Sequence, residues 1–230
     1  MTTAAIFGST GGVGSQILAT LLASDKISSV KTISRRIPKH DSPKLQAIEE
    51  PDITKWAGLI QTLSPQPSVF YNAVGTTRAA AGGIANQWKI DHDSVIESAR
   101  AAKDAGVKTF VFISSGGTRG FLFQYTPYAK MKVGVEDTVR EMGFDQTIIL
   151  RPGMIIGREV SKAPLLERFF EALGKVSKGL QDTIAADQLV IGRAAVHAAR
   201  LVEEGKAPSK YWVVEQADIV RLGRDEWREV

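Results

Sequence analysis

Residues 4–14 read Ala-Ala-Ile-Phe-Gly-Ser-Thr-Gly-Gly-Val-Gly, an apolar run that breaks into Gly8, Gly11 and Gly14 and leads at once into Gln16, Ile17 and Leu18. A short apolar run bounded by glycine reads as a buried strand, and the residues after it read as the start of a helix. A strand that enters a helix through glycines leaves the first backbone N–H groups of that helix unpaired and its positive dipole end open. That is a ready anion site, suited to a pyrophosphate. Gly8 permits the tight turn, Gly11 lets the backbone approach the phosphates, and Gly14 lets the helix lie close on the strand. Ser9, Thr10, Gly12 and Val13 complete the candidate phosphate loop. With 21 glycines in 230 residues the spacing alone is weak; its place between a strand-like and a helix-like run makes it informative.

Further apolar runs at 29–33, 69–74, 110–113, 147–150 and 211–214, with a weaker one at 45–48, alternate with helical patterns at 13–22, 53–63, 84–105, 127–141 and 193–203. This alternation predicts an α/β fold, a doubly wound Rossmann-type domain with a mostly parallel sheet, spanning residues 1–230 as one unit. Residues 157–185 read as a small substrate-side insertion. Within it, 162–180 has helical periodicity, with Leu165, Phe169, Leu173, Val176 and Leu180 on one stripe and Lys162, Arg168, Lys175 and Lys178 nearby. The stripe fits a core-facing helix, a substrate lid, an oligomer contact or a membrane-surface helix.

The chain has no cysteine, which excludes disulfides, thiolate catalysis and cysteine zinc sites. Its three histidines, His40, His92 and His197, lack ligand spacing, and no metal site is expected. A net charge of +4 with interspersed acidic residues suits anionic ligands better than a nucleic-acid surface. No stretch approaches the ~20 apolar residues that cross a bilayer, and with the first strand reading from residue 4 no leader is expected.

Twenty residues beyond Gly14, where a carboxylate would take the ribose hydroxyls of NAD, the chain has Ser34, Arg35 and Arg36. A hydroxyl and two guanidiniums favour a 2′-phosphate, so NADP(H) is the expected cofactor. Tyr128 and Lys132 are spaced i,i+4 on a predicted helix and share one face. An ammonium beside a phenol stabilises the phenolate, so the pair can exchange a proton with a carbonyl or alcohol oxygen as hydride moves to or from a nicotinamide.

The loop spacing G-x-x-G-x-x-G resembles that of the extended and atypical short-chain dehydrogenases. Those enzymes place a substrate-polarising serine about where Ser115 stands, at the end of a buried strand and 13 residues before Tyr128. By the same resemblance Lys132 would also hold the nicotinamide ribose, and Asp52 would meet the adenine amino group. The segments N-A-V-G-T-T-R (72–78), Q-W-K-I-D-H-D (87–93), F-I-S-S-G-G-T-R-G (112–120), I-L-R-P-G-M (149–154) and K-Y-W-V-V-E (210–215) narrow the likeness. They resemble an atypical group that includes the animal Tat-interacting oxidoreductase-like proteins and, more closely, the fungal "found in mitochondrial proteome" proteins. The resemblance implies NADP(H) contacts at Asn72, Ala73, Val74, Gly75 and Pro152. It also implies peripheral attachment to the mitochondrial outer membrane, with the cytoplasm as the alternative, and it implies no substrate.

Two departures stand out. Asp91 occupies the place of the asparagine that completes the usual catalytic tetrad through a water, and N-A-V-G-T replaces N-N-A-G. The sequence therefore points to an NADP(H)-dependent oxidoreductase acting on an apolar carbonyl or alcohol, lined in part by Phe121 and Phe123 of 120–126. A non-catalytic NADP(H)-sensing regulator and a membrane-associated adaptor are the rival readings.

Overall fold

The computed structural model describes residues 2–157 and 182–228. In chain order its elements are β1 (Thr2–Phe7), α1 (Gly12–Ala23), β2 (Ile27–Ser34), β3 (Leu45–Glu49), α2 (Trp56–Ile60), β4 (Val69–Asn72), α3 (Ile84–Trp88), α4 (Ser94–Asp104), β5 (Thr109–Ile113), α5 (Pro127–Glu141), β6 (Gln146–Arg151), β7 (Met154–Ile156), β8 (Ala185–Asp187), α6 (Gln188–Glu203), β9 (Tyr211–Glu215) and α7 (Gln216–Val220). One sheet has the order β3-β2-β1-β4-β5-β6-β9, and every neighbouring pair in it is parallel. The strand order reverses at β1, so the crevice between the ends of β1 and β4 is the topological switch point where such sheets bind ligands.

Both faces of the strands are apolar, because helices cover the sheet on two sides. Successive residues alternate between the layers. Ala4, Ile6, Val69, Tyr71, Val111, Ile148 and Leu150 face one cluster with Ile17 and Leu21 of α1 and Ala194 and Ala198 of α6. Ala5, Phe7, Phe70, Phe110, Phe112 and Ile149 face the other, with Trp56, Val95, Val135 and Val139. An aromatic row crosses the second layer: Phe7 meets Phe70 edge-on at 4.8 Å, Phe70 stacks on Phe110 at 5.8 Å, and Phe110 stacks on Phe144 at 5.2 Å. Such pairs each add about 0.5–1.5 kcal/mol beyond burial alone.

Three features differ from the periodicity reading. The long helix expected at 84–105 is interrupted by a π turn at Lys89–Asp93, between α3 and α4. That turn takes an extra residue where Asp91 is drawn fully inside. The helix expected at 53–63 is shorter, a 3-10 turn at Ile53–Lys55 leading into α2. A second small parallel sheet pairs β7 with β8; its three-residue strands are too short to show a period in the sequence. The stripe at 162–180 lies outside the described residues. Among those described, no helix is long and apolar enough to cross a membrane.

Candidate functional site

The phosphate loop is built as bare backbone. Gly8 has φ +80°, and a Cβ there would lie 2.7 Å from the Ala73 carbonyl carbon and oxygen, so β1 and the chain after β4 meet only through glycine. Gly11 N–H donates to the Gly8 carbonyl at 2.9 Å, closing the turn. A Cβ on Gly14 would collide with that same carbonyl oxygen. The three glycines thus pull the first turn of α1 onto the end of the strand. No side chain caps α1, so the N–H groups of its first turn are left for an external acceptor. Thr10, Gly11 and Gly12 are exposed, while Ser9 is buried with a hydroxyl that has no hydrogen-bond partner among the described residues. Glycine-only backbone, an uncapped helix start and a spare hydroxyl at one turn fit a dinucleotide pyrophosphate.

Ser34 ends β2 at the same edge. It is buried, and its hydroxyl donates to the Arg36 carbonyl at 2.7 Å, so it shapes the turn that carries the two arginines. Arg35 and Arg36 are exposed. Among the described residues neither guanidinium is paired with a carboxylate. Asp52 caps the 3-10 turn, accepting from Thr54 N–H at 3.0 Å and the Thr54 hydroxyl at 2.7 Å. Those hydrogen bonds hold its carboxyl below the usual range.

After β4 the chain is fixed by two buried side chains. Asn72 accepts from Val74 N–H at 3.1 Å, and its own amide nitrogen is buried without a partner among the described residues. Asp91 accepts from Thr76 N–H at 2.7 Å and from the Gln87 amide at 3.3 Å. The carboxylate at the tetrad position therefore anchors the 73–78 loop to the π turn. Gly75 is exposed at the crest of that loop.

The second half of the site lies at the ends of β5 and β6. Thr126 caps α5, accepting from Ala129 N–H at 3.2 Å, with Pro127 in the first turn. This sets the register that presents Tyr128, Lys132 and Glu136 at successive four-residue intervals along α5. Lys132 is 4% exposed. Its ammonium donates to the Ile113 carbonyl at 3.2 Å and sits 4.7 Å over the Phe112 ring. Tyr128 is 40% exposed at the start of the same helix. Ser115 follows two residues after Ile113 and is half-buried. Gly116 N–H donates to the Pro152 carbonyl at 2.6 Å, which joins the loop carrying Ser115 to the turn after β6.

One element of the site escaped the sequence reading. Glu136 is completely buried and accepts from the Ser114 hydroxyl at 2.6 Å, from Arg151 and from Arg119. Its spacing from Tyr128 and Lys132, eight and four residues further on, is visible in the sequence. Nothing in the sequence showed that Arg119 and Arg151, from two other elements, would meet it. In the turn that leads into α5, Phe121, Leu122, Phe123 and Tyr125 are all at least two-thirds exposed.

A family described as NAD(P)H-binding matches residues 8–178. "Protein fmp52-2, mitochondrial" of Aspergillus oryzae is 72% identical over 229 residues, covering 100% of both chains. "Protein FMP52, mitochondrial" of Chaetomium globosum is 56% identical over 228 residues, covering 97% of this chain and 98% of the relative. Among solved structures, the Bordetella bronchiseptica enzyme WbmH in complex with NAD+ is similar with a TM-score of 0.67 at 20% identity, over 94% of this chain and 85% of that one. The Bacillus cereus UDP-glucuronic acid 4-epimerase in complex with NAD gives 0.66 at 16% identity, over 93% and 77%. At these identities the structural likeness speaks for the fold alone.

Proposed function

The chain belongs to the FMP52 family of NAD(P)H-binding proteins, atypical members of the short-chain dehydrogenase type, and from that premise we propose that it is an NADP(H)-dependent oxidoreductase interconverting a carbonyl and an alcohol. The observation that carries the reading is Lys132, a buried ammonium held on the Ile113 carbonyl beside Ser114 and Ser115 and on the Tyr128 face of α5. Burying an ammonium costs several kcal/mol, and a fold that keeps one at the ligand-binding edge of its sheet has a use for it.

When bound, the nicotinamide supplies or accepts the hydride. The backbone of 8–14 would take the pyrophosphate, Arg35 and Arg36 the 2′-phosphate, and 72–75 with Lys132 and Pro152 the nicotinamide half. Ser115 donates a hydrogen bond to the carbonyl oxygen and polarises it. Tyr128 gives that oxygen a proton in reduction and takes it back in oxidation. Lys132 stabilises the phenolate left behind. The exposed Phe121, Leu122 and Phe123, five to seven residues before Tyr128, favour an apolar substrate.

NADPH oxidation measured against a panel of apolar aldehydes and ketones tests the activity. Turnover supports it; dinucleotide binding with no turnover across the panel assigns a sensing role instead. The names of the relatives support a mitochondrial location, and we assign the chain to the outer membrane as a peripheral protein. Release of the protein from isolated mitochondria by carbonate, with protease accessibility from outside, is the result this predicts.

A further inference from the structure

We propose that the exposed apolar turn ahead of α5 is the surface by which the protein docks on an anionic lipid bilayer, with Phe121, Leu122 and Phe123 entering the acyl boundary. The proposal rests on the peripheral membrane assignment above and names the element that makes the contact. It does not depend on the oxidoreductase chemistry.

Exposure sets this segment apart. Phe121 is 79%, Leu122 80%, Phe123 67% and Tyr125 69% exposed, whereas no other large apolar side chain among the described residues exceeds 49%. Four such side chains within five residues leave about 500 Å² of mostly apolar surface in water, in the range where a patch on a monomer is commonly functional.

The turn is built to hold these side chains outward. Gly117 takes φ +72°. The N–H groups of Gly120, Phe123, Gln124 and Thr126 donate back to the carbonyls of Gly117, Gly120, Gly120 and Phe123 at 2.9, 3.1, 3.0 and 3.0 Å. The Thr126 hydroxyl and the Gln124 amide close on the Phe123 and Phe121 carbonyls at 2.8 and 3.3 Å. Backbone groups already paired within the segment lose little on leaving water, which an interfacial element requires. Arg119 ties the base of the turn to the buried Glu136 at 3.2 Å, so the tip is held in place before it meets a surface.

Charge and the order of the side chains select lipid. No acidic residue stands between Asp104 and Glu136. Lys130 is exposed, and the positive end of the α5 dipole lies where the turn ends, at Pro127. Arg119 adds no free charge, because Glu136 and Asp137 share its guanidinium. An apolar tip flanked by positive and not negative groups is drawn to anionic headgroups. Phe and Leu come first along the chain, the amphipathic ring of Tyr125 next and Lys130 last, which matches the order of depth from acyl chain through headgroup to water. With Tyr128 in the first turn of α5, a bilayer engaged here can supply an apolar carbonyl to the proposed site.

Vesicle co-sedimentation and a label on the turn test this. Phosphatidylcholine vesicles with about 25 mol% phosphatidylserine should sediment the unmodified protein, and pure phosphatidylcholine vesicles several-fold less. Phe121→Ser/Phe123→Ser should weaken partition at least about tenfold, with thermal unfolding unchanged. Because the chain has no cysteine, Leu122→Cys provides a single thiol for a nitrobenzoxadiazole label, whose emission should rise and shift to the blue on the anionic vesicles. Should the serine variant fail to fold, the label decides alone. Unchanged binding in a folded serine variant, or a label that does not respond to bound vesicles, overturns the proposal and leaves the peripheral assignment standing. Equal partition onto neutral vesicles, or no vesicle binding by the unmodified protein, also overturns it, and the carbonate fractionation then reads the location separately. A label already shielded without vesicles shows that the chain itself or a second copy covers the turn, and this too overturns the proposal.

Discussion

Glu136 and Arg151 are joined by two parallel hydrogen bonds, Arg151 Nε to Glu136 Oε1 at 3.1 Å and Nη2 to Oε2 at 2.6 Å, with the carboxylate entirely buried. Through this pair, and through the Ser114 hydroxyl on the same carboxylate, α5 holds the ends of β5 and β6 together. The bonds to Glu136 raise the affinity of the Arg151 guanidinium for its proton above the ordinary value. Removing Glu136 takes the acceptor from the Ser114 hydroxyl and one side of the Arg151 guanidinium, while Arg151 keeps Glu215 and Arg119 keeps Asp137. Glu136→Ala should therefore lose about 1–3 kcal/mol in urea unfolding, and Glu136→Gln less, because it keeps the shape and part of the hydrogen bonding. An alanine variant as stable as the original protein would show that the network is incidental.

The phosphate loop offers a paired glycine test. Gly8→Ala puts a side chain into φ +80° and into the Ala73 carbonyl; it should cost at least about 1–3 kcal/mol and abolish dinucleotide binding. Gly58, within α2, has nothing within 4 Å of a built Cβ. Gly58→Ala should instead stabilise by about 0.4–1 kcal/mol and leave binding intact. Thermal unfolding with and without NADPH reads both.

Tyr211 gives a pH signature. Burial first, and the negative charge of Glu136 second, push its phenol up to about 12. In the unfolded chain it titrates near 10. Between these values the folded state holds more protons than the unfolded state, so stability falls as pH rises. The contribution is complete below about pH 10 and is lost by about pH 12. The native spectrum minus that of Tyr211→Phe, followed at 295 nm, should show no ionisation near pH 10 while the protein is folded.

Cofactor choice rests on the exposed pair Arg35 and Arg36. NADPH should bind at least tenfold tighter than NADH, a difference of about 1.4 kcal/mol. Arg35→Ala should remove most of it, and salt should weaken NADPH binding more than NADH binding. Equal affinities by calorimetry would show that the arginines are only solvated.

Much of this architecture was readable because its signals are local. The glycines of 8–14 sit at a strand end, the β5 run carries Ser114 and Ser115 at its close, and Thr126 with Pro127 marks the start of α5. What the sequence concealed depends on contacts between distant segments. The place of Ser34 at the end of β2 is legible, but not that its hydroxyl donates to the Arg36 carbonyl and shapes the turn there. Asp91 stands out in the sequence only as a departure at the tetrad position; that its buried carboxylate ties the Thr76 backbone to Gln87 depends on the fold. Glu136 looks like one more charge on an amphipathic helix until Arg119 and Arg151 converge on it. The π turn at Lys89–Asp93 leaves no mark in a 3.6-residue pattern, because one added residue shifts the phase without breaking it.

In the proposed reaction Tyr128 moves the proton. Steady-state NADPH oxidation with an accepted carbonyl substrate, run for the unmodified protein and Tyr128→Phe alongside calorimetric NADPH affinity, tests it most directly. The phenylalanine variant should show a fall in kcat of about 10²–10⁴ with NADPH binding nearly unchanged, because the phenol acts on substrate oxygen. A phenylalanine variant that keeps full turnover would contradict it.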